Sequence, residues 1–128
     1  MENKLLHERT VAFAIEVIDI CKSLEKSNQN VIAKQLIRSA TAIGAACAEA
    51  KYAESPDDFI HKMKLAGKEA SETGYWFAIT QKLFPINEDT KDNLLVIQKI
   101  ISKSMATAIR NREERKKQQQ LNKQNSKK

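Results

Sequence analysis

Apolar residues recur along the chain at intervals of three and four, the period of an α-helix buried on one face. Polar breaks divide that pattern into four stretches. The first is predicted helical from about Asn3 to Ser27, where Phe13, Val17, Ile20 and Leu24 form a stripe widened by Ala14, Ile18 and Cys21. The polar run Ser27-Asn28-Gln29-Asn30 then supplies a turn and a cap. A second helix, from about Val31 to Ala53, places Ile32, Leu36, Ala40, Ile43 and Cys47 on one face. Ala40, Gly44 and Ala48 lie four apart, a ridge of small residues on which another backbone can approach closely. Gly44 inside a helix costs about 1 kcal/mol relative to Ala, so its presence points to a packing requirement.

The third stretch carries the clearest start signal. Ser55-Pro56-Asp57-Asp58 offers an N-cap hydroxyl, a proline where its missing N–H is harmless, and two carboxylates at the positive end of the helix dipole. Asp58 three residues after Ser55 approximates a capping box. From there Phe59, Met63, Ala66, Ala70, Thr73, Phe77, Thr80 and Phe84 follow a coiled-coil-like rhythm. A second seam, Leu65, Glu69, Glu72, Trp76, Ile79 and Leu83, lies beside it. A helix with two such faces belongs in an interior position or at a subunit interface. Pro85 ends this helix, and Asn87-Glu88-Asp89-Thr90 caps a fourth, predicted from about Glu88 to Arg115 with the stripe Leu94, Ile97, Ile101, Met105 and Ala108. Helices of this length joined by short connections must pack against antiparallel neighbours. The predicted fold is all-α, an up-down-up-down four-helix bundle over residues 1–115.

Beyond Arg115 the chain is Lys, Gln, Asn and Ser with a single Leu121. Such a composition buries too little to offset the entropy of ordering, so residues 116–128 read as a basic, polar tail, frayed or disordered. Charge reinforces the division. The net charge is +6, and Arg110 to Lys128 holds eight bases against Glu113 and Glu114, leaving the remainder balanced at 14 bases and 14 acids. On net charge alone the basic character belongs to the tail and not to the body. With 128 residues, three glycines and two prolines, the composition argues against an all-β sandwich and against a Gly-rich phosphate-binding loop.

Candidate chemistry is sparse. A carboxylate-bridged metal site in a bundle needs Glu-x-x-His pairs; Asp58-x-x-His61 is the one comparable pair, and the other histidine is His7. No metal or cofactor is expected. Glu69 and Glu72, near Trp76, could act as a general acid and base, but ion pairing with Arg38 or Lys51 is the simpler reading. Cys21 and Cys47 fall in apolar patterns without a basic cluster to activate a thiol, so no enzymatic activity is expected. The basic residues Arg110, Arg112, Arg115, Lys116 and Lys117 suit electrostatic nucleic-acid binding. The polar N-terminus and the absence of an apolar run long enough to span a bilayer point to a cytoplasmic location.

Two runs also resemble a known family. Gln35-Leu36-Ile37-Arg38-Ser39-Ala40-Thr41-Ala42-Ile43-Gly44-Ala45-Ala46-Cys47-Ala48-Glu49-Ala50 is similar to the second-helix signature of the 23S rRNA-intervening-sequence proteins. Glu54 to Met63 and Lys68-Glu69-Ala70-Ser71-Glu72-Thr73-Gly74-Tyr75-Trp76 resemble that family's third-helix stretches. The sequence departs from the pattern at Ala42, Ala46, Cys47 and Gly67. The resemblance implies a small, non-enzymatic bundle, with homopentamers known among its members. It also implies a fold similar to the accessory proteins of diversity-generating retroelements, which are thought to bind nucleic acid. Of the signature residues, Arg38, Glu49, Asp58, Lys62, Glu69, Glu72 and Trp76 are expected to build the bundle and its subunit contacts. The expected partners are other copies of the chain, RNA or DNA, with a membrane excluded. The alternative is a scaffold that recognises another protein through Tyr75, Trp76 and the second seam.

Overall fold

The structure is a computed structural model that describes residues 2–127, with side chains over 4–127. The described residues form four helices: α1 (Glu2–Lys26), α2 (Asn30–Ala50), α3 (Pro56–Leu83) and α4 (Glu88–Ser126). Each packs on its neighbours in sequence, and α4 returns to α1, while neither diagonal pair makes comparable contact. The all-α, up-down-up-down bundle is the observed architecture.

Local chemistry sets each boundary. Asn28 takes a left-handed conformation with φ 62, which an Asn side chain tolerates. The Gln29 N–H donates to the Leu24 carbonyl at 2.8 Å, and the Asn28 N–H donates to Glu25 at 3.0 Å. Together these form the Schellman arrangement that satisfies the last carbonyls of α1. The cap expected next is absent in one respect, since Gln29 at the start of α2 makes no side-chain capping bond.

The α3 cap forms as its sequence requires, with the Ser55 hydroxyl accepting from the Asp58 N–H at 3.0 Å. The reciprocal bond is shifted by one residue: the Asp58 carboxylate accepts from the Glu54 N–H at 3.1 Å. Pro85 forces Phe84 into extended backbone, φ −142 and ψ 146, and so stops α3. Asn87 Oδ1 accepts from the Asp89 N–H at 2.8 Å and opens α4.

The core lies where the periodicity places it. Phe13, Val17 and Leu24 of α1, Leu36 and Ile43 of α2, and Ile97 and Ile101 of α4 are fully buried. The α3 face opposite them is built of Met63, Ala66, Ala70, Thr73, Phe77 and Thr80. Its small residues let the larger side chains of the other helices reach across. Phe13 meets Phe77 edge-on at 5.9 Å between ring centres, joining the diagonal pair α1 and α3. The buried hydroxyls of Ser39 and Thr73 meet at 2.9 Å, one proton bridging the pair and the other available to the Leu36 or Glu69 carbonyl.

The second seam of α3, expected at an interior position or a subunit interface, is half-buried from Leu65 to Ile79, and its Glu69 and Glu72 pair with Arg38 of α2. One expectation changes. The fourth helix does not stop near Arg115. It continues to Ser126 as an exposed single helix, so most of the segment 116–128 is described as helical, while Met1 and Lys128 lie outside the described residues. The apolar stripe ends near Ala108, but Lys and Gln sustain helical backbone without burial.

The small-residue ridge of α2 is divided between two surroundings. Ala40 is buried and Ala48 is exposed. At Gly44 an added Cβ would sit 3.0 Å from Thr10 Oγ1 and 3.1 Å from its Cβ. Gly44→Val is therefore expected to destabilise the fold by about 1–3 kcal/mol in urea unfolding, with Thr10→Ala in the same chain restoring part of the loss. A Gly44→Val variant as stable as the parent would contradict the close approach.

Candidate interaction faces

The signature residues of α2 and α3 assemble into polar links between those two helices. Arg38 Nη1 lies 3.3 Å from Glu69 Oε2, and Arg38 Nη2 donates to Glu72. Its Nε also donates to Gln35 Oε1 at 3.3 Å. Glu49 and Lys62 pair at 3.3 Å one turn from the bundle end. All of these groups are partly solvated, so each pair contributes a few tenths of a kcal/mol to about 1. The Arg38 links also neutralise Glu69 and Glu72 of α3. Lys51, the other candidate partner for Glu69 and Glu72, makes no ion pair to either among those described.

Trp76 packs against the core, half-buried, and its Nε1 is buried without an acceptor. Tyr75 beside it is 61% exposed. The rings meet edge-on at 5.3 Å.

The remaining chemical candidates separate. His7 and His61 are exposed on different helices. Among the described residues, no three His, Cys, Asp or Glu side chains converge to hold a metal ion. Burial pushes the Cys21 thiol up to about 11, with the nearby Glu25 charge adding to the effect. Burial alone pushes Cys47 up to about 11. Both thiols are protonated near neutrality and are poor nucleophiles. Among the described residues no helix is long and apolar enough to cross a membrane.

The five predicted nucleic-acid contacts divide between two sides of α4. Arg112, Arg115 and Lys116, with Gln119, line an open groove against Ser55, Pro56 and Asp57 at the start of α3. There Arg112 donates to Asp57 Oδ1 at 2.8 Å and to Glu113 Oε1 at 3.2 Å. Arg110 and Lys117, seven residues apart, share a different and exposed side.

Two features escape any reading of net charge. On the first, Val11, Ile15 and Ile18 form an exposed stripe on α1, at 47%, 57% and 40% exposure. Val11 and Ala14 border a shallow groove whose other wall is Thr41, Gly44, Ala45 and Ala48 of α2. A legible signal exists for this face, because α2 carries no charge between Arg38 and Glu49 although Thr41, Ala45 and Ala48 there are exposed. The second is the opposite side of the bundle. Every charged residue of α4 between Asp92 and Glu113 is basic, and the outer face of α3 presents Lys64 and Lys68. The body is neutral in sum, and its charges balance on each pair of helices, but their placement leaves an apolar patch on the α1–α2 side and a basic patch on the α3–α4 side.

Comparison with known proteins agrees with this architecture. The family profile described as 23S rRNA-intervening sequence protein matches residues 2–107. A crystal structure of a protein of unknown function from the S23 ribosomal protein family of Bacteroides thetaiotaomicron VPI-5482 superposes with a TM-score of 0.77 at 31% identity, covering 83% of this chain and 99% of that one. No curated protein sequence matches the chain.

The raised thiols give a pH dependence with a definite sign. Because folding favours the protonated form, their stabilising effect is complete below about pH 9 and is lost as pH rises towards about 11. Urea unfolding should therefore lose less stability between about pH 8 and 10.5 in the Cys21→Ala/Cys47→Ala double variant than in the parent. An equal drop in both would show that the thiols do not carry it.

Proposed function

Because this chain belongs to the 23S rRNA-intervening sequence protein family, we propose that it is a non-enzymatic bundle that assembles with copies of itself and holds nucleic acid electrostatically. The carrying observation is the opposition of the two faces. Surfaces rich in Lys and Arg repel their own copies, whereas the exposed Val11, Ile15 and Ile18 beside Thr41, Ala45 and Ala48 form an uncharged surface suited to burial. Assembly through α1 and α2 leaves α3 and α4 facing outward, and the single helix beyond Arg115 projects from the bundle with Lys117 and Lys123 exposed to meet phosphates.

The absence of activity is supported by how the reactive groups are held. Glu69 and Glu72 share Arg38, and the two thiols are protonated. Neither arrangement supplies a free base or nucleophile. The location consistent with this reading is the cytoplasm.

Light scattering coupled to size-exclusion chromatography tests the assembly. The expected mass is a multiple of 14.5 kDa, five being the number implied by the family resemblance. Ile15→Glu should reduce it to one chain while leaving helical content unchanged. A monomeric parent at every concentration, or an Ile15→Glu assembly of unchanged mass, would overturn the α1–α2 interface.

Truncation after Ile109 tests the electrostatic part. It should remove most of the affinity for RNA or DNA and flatten the dependence of affinity on salt. Binding that is insensitive to salt and to truncation would refute it.

A further inference from the structure

We propose that a single strand of nucleic acid runs along the outer faces of α3 and α4, from the exposed bases of the α4 extension past Lys64, Lys68 and Lys99 to Tyr75, where a base stacks. This rests on the nucleic-acid reading above and adds to it a path and a preference for strandedness.

The charges of α3 are sorted by partner. All four of its acids are engaged: Asp57 with Arg112, Asp58 with the Glu54 N–H, and Glu69 and Glu72 with Arg38. Lys62 is occupied by Glu49. Lys64 and Lys68 are exposed and make no ion pair among the described residues, and the same holds for Lys99 on α4. The packing register brings these bases together. Gly67 lies opposite Ile101 and Gly74 opposite Leu94, which sets Lys68 level with Lys99 and Tyr75 level with the start of the α4 stripe. From there Arg110 and Lys117 continue the line on the exposed side of α4. At 1.5 Å per residue the path from Tyr75 to the level of Lys117 is roughly 36 Å. That is enough for a strand within the range of about 4–16 nucleotides that single-strand-binding grooves hold.

Tyr75 decides between a duplex and a single strand. It is an exposed aromatic at the end of a run of bases, and Trp76 touches it edge-on instead of covering it face to face. A duplex keeps its bases stacked internally and could use only the lysines. An unpaired strand can use both the lysines and the ring, because every base has a face that stacks on an aromatic.

The test uses the full chain, a labelled oligothymidylate of about 20 nucleotides and a duplex of equal length. Binding is followed by anisotropy and by the emission of Trp76, the one tryptophan in the chain and a neighbour of the stacking ring. The parent should prefer the single strand, with Trp76 emission changing on binding. Tyr75→Ala should weaken single-strand binding about tenfold and leave the duplex unaffected, while Tyr75→Phe retains the preference. Lys64→Glu/Lys68→Glu should weaken both and flatten the salt dependence. These positions are exposed, so the variants should keep the parent's circular dichroism.

Equal affinity for the two forms, or a Tyr75→Ala variant that binds like the parent, would overturn the path. If truncation after Ile109 abolishes binding while Tyr75→Ala leaves it unchanged, the path is wrong and the electrostatic reading stands. If the parent binds neither oligonucleotide, both fall.

Discussion

The contact between α2 and α3 is the constraint on which the rest of this structure depends. Its centre is the buried pair of hydroxyls on Ser39 and Thr73, set among Leu36, Ala40, Ala66 and Ala70. Each hydroxyl also has a carbonyl of its own helix to donate to, so the bond between them adds a cross-helix link that forms at one register only. Small side chains around the pair allow the helix backbones to come close. The partly exposed Arg38, Glu69 and Glu72, and then Glu49 and Lys62, extend the same register to the edge of the seam.

That register has consequences on both sides of the bundle. Because Glu69 and Glu72 turn towards α2 and pair with Arg38 there, the outer face of α3 keeps Lys64 and Lys68 without compensation. Because α3 offers mainly small residues to the core, Phe13 and Ile101 can reach across it, and α1 and α4 close the ring. On the far side, Gly44 brings α1 against α2 at Thr10, leaving a low surface of threonine and alanine beside Val11. A chain with balanced charge in its body thus becomes a bundle with two unlike faces. Net charge, being a sum, carries no information about this separation.

Much of the fold was legible in the residues. The start of α3 at Ser55-Pro56, its stop at Pro85 and the stripes of all four helices follow from caps and periodicity, which are local properties. The α3 seam from Met63 to Thr80 is the clearest case, since an alternation of three and four residues admits one buried face. Other features were not legible. Ile18 belongs by spacing with the stripe of α1, yet it is exposed, because periodicity gives the direction of a face but not how wide an arc the neighbours cover. The second seam of α3 is ambiguous for the same reason, and only the position of α2 leaves Leu65 and Trp76 half-buried beside it. The extent of the helix beyond Arg115 is not legible because burial is the usual signal for helix, while Lys and Gln favour helical backbone in water without it.

Four helices, their caps and their inward stripes are written in the residues, because each depends on neighbours within a turn or two. The sequence also held the family signature in Arg38, Glu49, Lys62, Glu69 and Glu72, without saying which of these meet. The tertiary structure alone decided that Arg38 takes both glutamates, that Lys64 and Lys68 are left to solvent, and that Val11 and Ile15 share a side with the small residues of α2. Those outcomes depend on the rotation and register of one helix against another, set by contacts between residues about 30 positions apart, as Ser39 and Thr73 are. No local pattern in the chain encodes a distance of that kind.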